Sequence, residues 1–392
     1  MFFRLILVIP HLIVLAIFGL LAFAIAFISW FAILFTGRAV GHGMQARYLR
    51  YWTHVYSYVL LAANPYPGFE GEPGSYPIDA EVPPPERQNK WKTGFRFVLV
   101  IPAWLLAGAL GVSGTASWYS SYYSTYGVVT TVALLGWFAI LARKQMPRGL
   151  RDLAVYCLSY GLQFWAYVLL VTDRYPDSDP LTRDYGKAPV SDHPVRISED
   201  DDLRRSRLTV FFRLLLALPH IVWLTLWGIA VVFTVIANWF VTLFAGRTAD
   251  ALHRFNGAYV RYLTHVSAYV DLVANPFPGF TGKPGTYPID LQIAPPERQN
   301  RWKTGFRIIL AIPALLLAGA IGATLGLVAV FAWFVGLFTA KMPVGLRNLG
   351  VFAVRYQAQT YAYFWLLTDS YPFSGPSLER LAPAPAQVPE PA

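Results

Sequence analysis

Four stretches of this chain carry no charged residue for longer than one bilayer crossing requires. Residues 5–36, 214–245 and 308–340 run 32, 32 and 33 positions without Asp, Glu, Lys or Arg, and residues 97–142 run 46. A single spanning helix needs about 20 apolar residues. Only 14% of the chain is charged against 55% hydrophobic, too few charges to cover a water-facing surface. The class this implies is an all-α integral membrane protein.

The same words recur around each run. "FFRLILVIPH" (2–11) returns as "FFRLLLALPH" (211–220), and "PPERQNKWKTGFR" (84–96) as "PPERQNRWKTGFR" (295–307). "ANPYPGFEGEPGSYPID" (63–79) returns as "ANPFPGFTGKPGTYPID" (274–290). An arginine stands six positions before a proline at Arg4, Arg96, Arg213 and Arg307, and each unit closes on an aromatic-proline pair. Such self-similarity marks repeated structural units. The division expected is 1–94, 95–176, 208–305 and 306–375 as four membrane units in two homologous halves. Residues 177–207 form a polar flexible linker between the halves, and 376–392 a disordered Pro/Ala tail. A signal peptide does not account for the first run, which far exceeds a 7–15-residue apolar region and reappears inside the chain.

The run at 97–142 contains "SGTASWYSSYYSTYG" (113–127), too polar for hydrocarbon, and Gly19, Gly228 and Gly322 fall near the matching point of the others. Each run therefore reads as a tight helical hairpin with arms of roughly 16 residues, about 24 Å. Lys and Arg flank both sides of every run, which by the positive-inside tendency puts all flanks and both termini in the cytoplasm of a multi-pass protein. The helix that follows, such as 44–63, reads as amphipathic and interfacial. Arg47, Arg50, His54 and Ser57 share one face with Tyr51 and Tyr58, while Trp52, Val55 and Val59 share the other.

"LFTGR" (34–38), the Tyr/Arg helix and "NPYPGF" (64–69), with "LFAGR" (243–247) and "NPFPGF" (275–280), resemble the bacterial membrane family catalogued as domain of unknown function 4389. The resemblance is weaker in the second and fourth units, which have "LARKQMP" and "LFTAKMP". It implies a bacterial inner-membrane location and no chemistry.

Three groups of residues are candidates for function. His11 and His220 follow a proline within an apolar arm, where polar side chains are costly. They read as haem or metal ligands or as caps on carbonyls freed by the proline. Arg50 with His54, Arg261 with His265, and Arg355 form a helix-face stripe suited to a lipid phosphate or to a solvated surface. Arg87, Lys90, Trp91, Lys92 and Arg96, with Arg298, Arg301, Trp302, Lys303 and Arg307, surround a tryptophan with cations at the bilayer entrance. Such cations gain about 1 kcal/mol each near anionic lipid. The lone Cys157 excludes a disulfide framework, and no catalytic residue, metal site or cofactor is expected. The net charge of +10 lies beside the apolar runs, which suits anionic lipids and other membrane proteins as partners rather than nucleic acid. The leading function is a non-enzymatic membrane scaffold or accessory subunit. A transporter or channel with a pathway between the halves is the alternative.

Overall fold

The computed structural model describes residues 3–113, 127–182 and 193–377. By internal packing the chain divides into two compact units, Met1–Ser178 with Gly319–Leu327, and Asp179–Ala318 with Val328–Ala392. It is mostly helical. The first unit contains α1 (Arg4–Thr36), α2 (His42–Val59), α3 (Lys90–Gly94), α4 (Arg96–Leu110), α5 (Val128–Arg143) and α6 (Arg148–Val168). A five-residue strand β1 (Val195–Glu199), a short helix α7 (Arg207–Phe211), α8 (Arg213–Ala245), α9 (Asp250–Val270), β2 (Ile289–Ile293), α10 (Arg301–Gly305), α11 (Arg307–Thr339) and α12 (Val344–Phe364) follow.

The hairpin reading is overturned for three of the runs. α1, α8 and α11 are each one continuous helix of 33 residues, long and apolar enough to cross a membrane. A continuous helix pairs its own N–H and C=O groups, whereas a mid-run turn would expose several of them in apolar surroundings. Two of the mid-run glycines, Gly19 and Gly228, serve helix contact instead. A Cβ on Gly19 would stand 3.2 Å from the Tyr48 hydroxyl, and one on Gly228 2.9 Å from the Tyr259 hydroxyl. With these three helices unbroken, no mid-run turn returns the chain to the side from which it started.

The fourth run is not a hairpin either. Arg96, at the start of α4, sits at the C-terminal end of α6, where it bonds the Tyr167 and Thr172 carbonyls. Gly136 in α5 lies against Met146, just before the opposite end of α6. α4 and α5 therefore run end to end along α6, as α1 runs along α2. The backbones of Gly111 and Gly127 meet at the join, where a Cβ on Gly127 would come within 2.7 Å of the Gly111 Cα. The serine-tyrosine stretch expected at a hairpin tip lies almost wholly outside the described residues, as does the Pro/Ala tail.

Each long helix starts with an arginine clamp. The guanidinium of Arg4 lies 3.9 Å above the Tyr58 ring, Arg96 4.2 Å above Tyr167, Arg213 4.2 Å above Tyr269 and Arg307 4.1 Å above Tyr363. Each also donates to carbonyls where the partner helix ends: Arg4 to Ala63, Arg96 to Tyr167 and Thr172, Arg213 to Tyr269 and Ala274, Arg307 to Thr368. Those ends turn through a leucine in the left-handed region, at Leu61, Leu170, Leu272 and Leu366 (φ 63°, 62°, 61° and 64°). This position normally takes glycine, and a leucine there costs on the order of 1 kcal/mol. Cation–π contact and charge-assisted hydrogen bonds offset that cost.

The helices read as interfacial form the interior. Tyr51, Trp52, His54, Val55, Ser57 and Tyr58 of α2 are all buried, so both of its faces are covered. In the second unit, α9 packs on α8, α12 and β2, and Val260 joins Ala358, Ala362, Leu291 and Val195 in one apolar cluster. That cluster corrects the linker reading. Val195–Glu199 pairs antiparallel with Ile289–Ile293, Val195 is buried, and Arg205 and Asp201 form a buried ion pair at 2.8 Å. The polar composition of 177–207 hid a short alternating strand and an arginine eight positions before Arg213.

Replacing Arg213 by Ala strips the carbonyls of Tyr269 and Ala274 of their donor. Unfolding in detergent micelles, followed by circular dichroism, is expected to show a loss of roughly 3 kcal/mol or more. Arg213→Lys restores only part of this, because an ammonium cannot fork to two carbonyls over a ring. Conservative exchange of exposed Arg254 leaves the midpoint unchanged.

Candidate functional site

The histidine-proline pairs build an aromatic cluster beside the first turns of α1 and α8. His11 Nδ1 lies 2.7 Å from the Tyr51 hydroxyl, and His220 Nδ1 2.6 Å from that of Tyr262. Phe69 stacks on His11 at 4.2 Å, with Tyr66 at 4.7 Å. Phe280 and Phe277 stand at 4.6 and 4.3 Å from His220. Both imidazoles are fully buried. Neither ring caps a carbonyl freed by its proline, so that reading is corrected. The Tyr66 hydroxyl donates to the Leu7 carbonyl at 3.1 Å, which ties the strap to the first turns of α1. The neighbours of each histidine are tyrosine and phenylalanine, which hold the imidazole by stacking and by one hydrogen bond.

The helix-face stripe is buried and internally paired. His54 Nε2 stands 2.7 Å from Asp79 Oδ1, and His265 Nε2 2.7 Å from Asp290 Oδ1. Each carboxylate accepts two further backbone N–H groups, Gly74 and Ala80 for Asp79, Gly285 and Leu291 for Asp290. Burial by itself would raise the Asp290 carboxyl, but the His265 side chain and these N–H donors outweigh it and hold it below the usual range. Asp79 is lowered by the same balance. Tyr76 and Tyr287 stack on the two histidines and donate to the carbonyls of Pro65 and Pro276. Gly71, at φ 61°, runs so close to α2 that a Cβ would lie 2.5 Å from the Arg47 carbonyl. Thus "NPYPGFEGEPGSYPID" is a strap folded along its helix and latched by a His–Asp pair.

Arg261 completes the latch with bonds to the Leu291 and Gly282 carbonyls. Arg355 is 1% exposed and donates to the carbonyls of Ser377, Phe373 and Gly375. His54, His265, Arg261 and Arg355 are therefore not lipid-headgroup ligands, and Arg50 is only half-buried among them. Arg96 and Arg307, buried in clamps, leave the headgroup set for the same reason.

What remains exposed is the tryptophan collar. Trp91 is 78% and Trp302 79% exposed, with Arg87, Lys90 and Lys92 beside the first and Arg298, Arg301 and Lys303 beside the second. Asn89 and Asn300 cap the short helices that follow them, Asn89 accepting from the N–H groups of Trp91 and Lys92 and Asn300 from those of Trp302 and Lys303 (2.9 and 3.2 Å in both). Gln88 and Gln299 brace the clamp arginines, and their amides reach the Leu170 and Leu366 carbonyls. Trp30 and Trp239, near the ends of α1 and α8, donate to the Thr93 and Thr304 carbonyls. The near-identity of the two "PPERQN" stretches follows from this: the glutamine, asparagine, threonine and arginine have the same structural duties in both.

The model for the family described as domain of unknown function (DUF4389) matches residues 1–70, 207–281 and 301–374. These regions make up more than half of the sequence. The chain belongs to this family. Each matched region of this DUF4389 protein contains a clamp arginine, a 33-residue helix and the tyrosine that receives the arginine. The second segment, with its interrupted helix, lies outside the matches. Comparison with curated proteins gives no match, and neither does comparison with solved structures.

Sequence reasoning missed the partners that make these sites, namely Asp79, Asp290, Gln88, Gln299, Asp201 and Arg205. A signal was present, since Asp79 and Asp290 both stand 25 residues after their histidines. Asp290→Asn is expected to cost about 1–3 kcal/mol at pH 7. A lowered carboxyl stabilises above its unfolded value, and that contribution fades as pH falls through the folded one. The gap between variant and parent in chemical unfolding should accordingly close below about pH 4.

Proposed function

We propose that this chain is a non-enzymatic scaffold of the bacterial cytoplasmic membrane, built from four related units, that gathers anionic lipid around two tryptophan collars. The observation that carries this reading is the join at residues 90–97 and 301–308. A largely exposed tryptophan ringed by Lys and Arg leads directly into a helix whose outer surface is apolar, with Phe97 72% and Ile308 66% exposed. Aromatic rings and cations at such a join occupy the headgroup layer, and the apolar helix enters the acyl layer. The four-unit arrangement is supported by the arginine–tyrosine clamp, which recurs with one geometry at Arg4, Arg96, Arg213 and Arg307. A scaffold role is supported by the use of its buried polar groups. His54, Asp79, His265, Asp290 and Arg355 hold straps and helix ends in place, and their hydrogen bonds are directed to the chain itself.

The test is competitive partition of the full-length protein from dilute detergent between phosphatidylglycerol and phosphatidylcholine vesicles, separated by density. Preference for the anionic vesicles is expected, reduced by 0.5 M salt. Replacing Arg87, Lys92 and Arg298 by Gln removes three exposed cations, and at about 1 kcal/mol each lowers that preference by roughly two orders of magnitude. Equal partition of the parent protein overturns anionic selectivity, and failure to enter either vesicle overturns the membrane reading.

A further inference from the structure

We infer that α1 and α8 lie along one leaflet of the membrane rather than crossing it. This rests on the membrane reading above and changes what that reading means for the fold. The observation is what runs beside each helix. In the first unit, residues 64–88 are an irregular segment tied to α1 near both ends. The Tyr66 hydroxyl bonds the Leu7 carbonyl, and the Gln88 N–H bonds the Gly37 carbonyl at 2.9 Å. Leu7 and Gly37 are thirty positions apart on one helix, about 45 Å at 1.5 Å per residue. The segment therefore travels the length of α1. It is largely exposed on the way, at Glu70, Glu72, Glu81, Glu86 and Arg87 among others.

The second unit repeats the arrangement. Arg213, at the start of α8, bonds the Asn275 side chain, Trp223 bonds the Phe280 carbonyl, and the Gln299 N–H bonds the Gly246 carbonyl after the last turn. Lys283, Glu297 and Arg298 are exposed along that path. Hydrocarbon does not accept lipid-exposed irregular backbone or charged side chains, because their polar groups find no partner there. A 30 Å hydrocarbon slab placed across α1 or α8 cuts through this companion segment. Placed alongside the helix, the slab leaves the segment wholly in water.

Length and surface agree with the second placement. Thirty-three residues measure about 50 Å, and enclosing them in a 30 Å core requires a tilt near 53°, beyond the usual 0–40° range. The residues of α1 that face the protein form one narrow stripe: Arg4, Val8, His11, Leu15, Gly19, Ala22, Ala26, Ser29 and Ile33 are buried. Away from it Leu5, Leu20 and Phe35 are 71%, 74% and 78% exposed. In α8, Leu214, Phe233 and Phe244 are 72%, 69% and 73% exposed. The occupant of this apolar surface is the acyl layer of a single leaflet, with Lys90, Trp91 and Lys92 at the adjoining headgroups.

Depth measurement decides it. Single spin labels at Leu5→Cys, Leu20→Cys and Phe35→Cys, and separately at Leu214→Cys, Phe233→Cys and Phe244→Cys, are read in the full chain in phosphatidylglycerol/phosphatidylethanolamine vesicles. The relaxing agents are oxygen and a water-soluble nickel chelate. All six positions are exposed, so the labels leave packing intact, and buried Cys157 is replaced by Ala throughout. One shallow depth shared by the three labels of each helix supports the inference. A central label at the bilayer midplane with end labels near opposite surfaces overturns it while leaving the membrane reading intact. Labels at water-like depth in every position overturn both. A second readout is the reaction of Glu72→Cys and Glu86→Cys with an impermeant maleimide in sealed vesicles of uniform orientation. Labelling from one side alone supports the in-plane placement, and labelling of the two from opposite sides overturns it.

Discussion

The buried arginine at the head of each long helix is the interaction on which the rest depends. A guanidinium is expensive to desolvate, and burial repays that cost only when several oxygens and a ring receive it together. Here the receiving groups are created by a backbone turn that is itself unfavourable, a left-handed leucine closing the partner helix. Neither feature is stable alone. Combined, they fix the start of one helix against the end of the next, so the helix pair has a defined register and direction. Gln88 and Gln299 then tie the turns at Leu170 and Leu366 to the clamp arginines Arg96 and Arg307, and their N–H groups bond the Gly37 and Gly246 carbonyls that end α1 and α8, which joins consecutive pairs.

From that joint the straps can be understood. Once Arg4 holds Ala63 and Asn64, the chain leaves α2 beside the first turns of α1 and has to fold back. The proline-aromatic sequence makes that reversal, placing Phe69 on His11 and Tyr76 on His54. Asp79 and Asp290 then fasten the return through a histidine and two backbone N–H groups. A polar helix face that would look suited to water is thereby filled by the protein's own loop. The polar residues on α2 and α9 thus record strap binding and not an aqueous boundary.

This explains which parts of the fold were legible in the sequence. Apolar runs, repeats, clamp arginines and collar tryptophans are local patterns, and they gave the helical class, the repeated units and the family. The hairpin failed because a mid-run glycine looks the same whether it opens a turn or admits a tyrosine from a neighbouring helix. At Gly19 and Gly228 it is the tyrosine that decides, and that tyrosine is about thirty residues away. The histidine-arginine stripe failed for a related reason: a partner such as Asp79 becomes a neighbour only after the strap has folded. The linker hid its strand because five residues pairing with a segment nearly a hundred positions later leave little local trace.

The segments also differ in a way that the clamp alone does not require. Where His11 and His220 stand, α4 and α11 have Ala103 and Ala314, and both alanines are buried. The imidazole follows the strap. An "NPYPGF" or "NPFPGF" loop brings two aromatic rings over the first turns of the long helix, and a flat polar ring with a tyrosine partner fills the space between them. After α6 the chain instead runs through "TDRYPDSDP", where Asp173 accepts from the Asn89 N–H, and after α12 Asp369 pairs with Arg307 and Lys303. At those two ends an acid braces the clamp and collar from outside, while Tyr175 and Tyr371 pack edge-on against the clamp tyrosines Tyr167 and Tyr363 and reach the backbone of Ala103 and Ala314. The clamped helix pairs are therefore finished in two ways, with an aromatic strap after α2 and α9 or with a carboxylate brace after α6 and α12. Along α1 and α8 the strap stands at the first turns and the collar at the last.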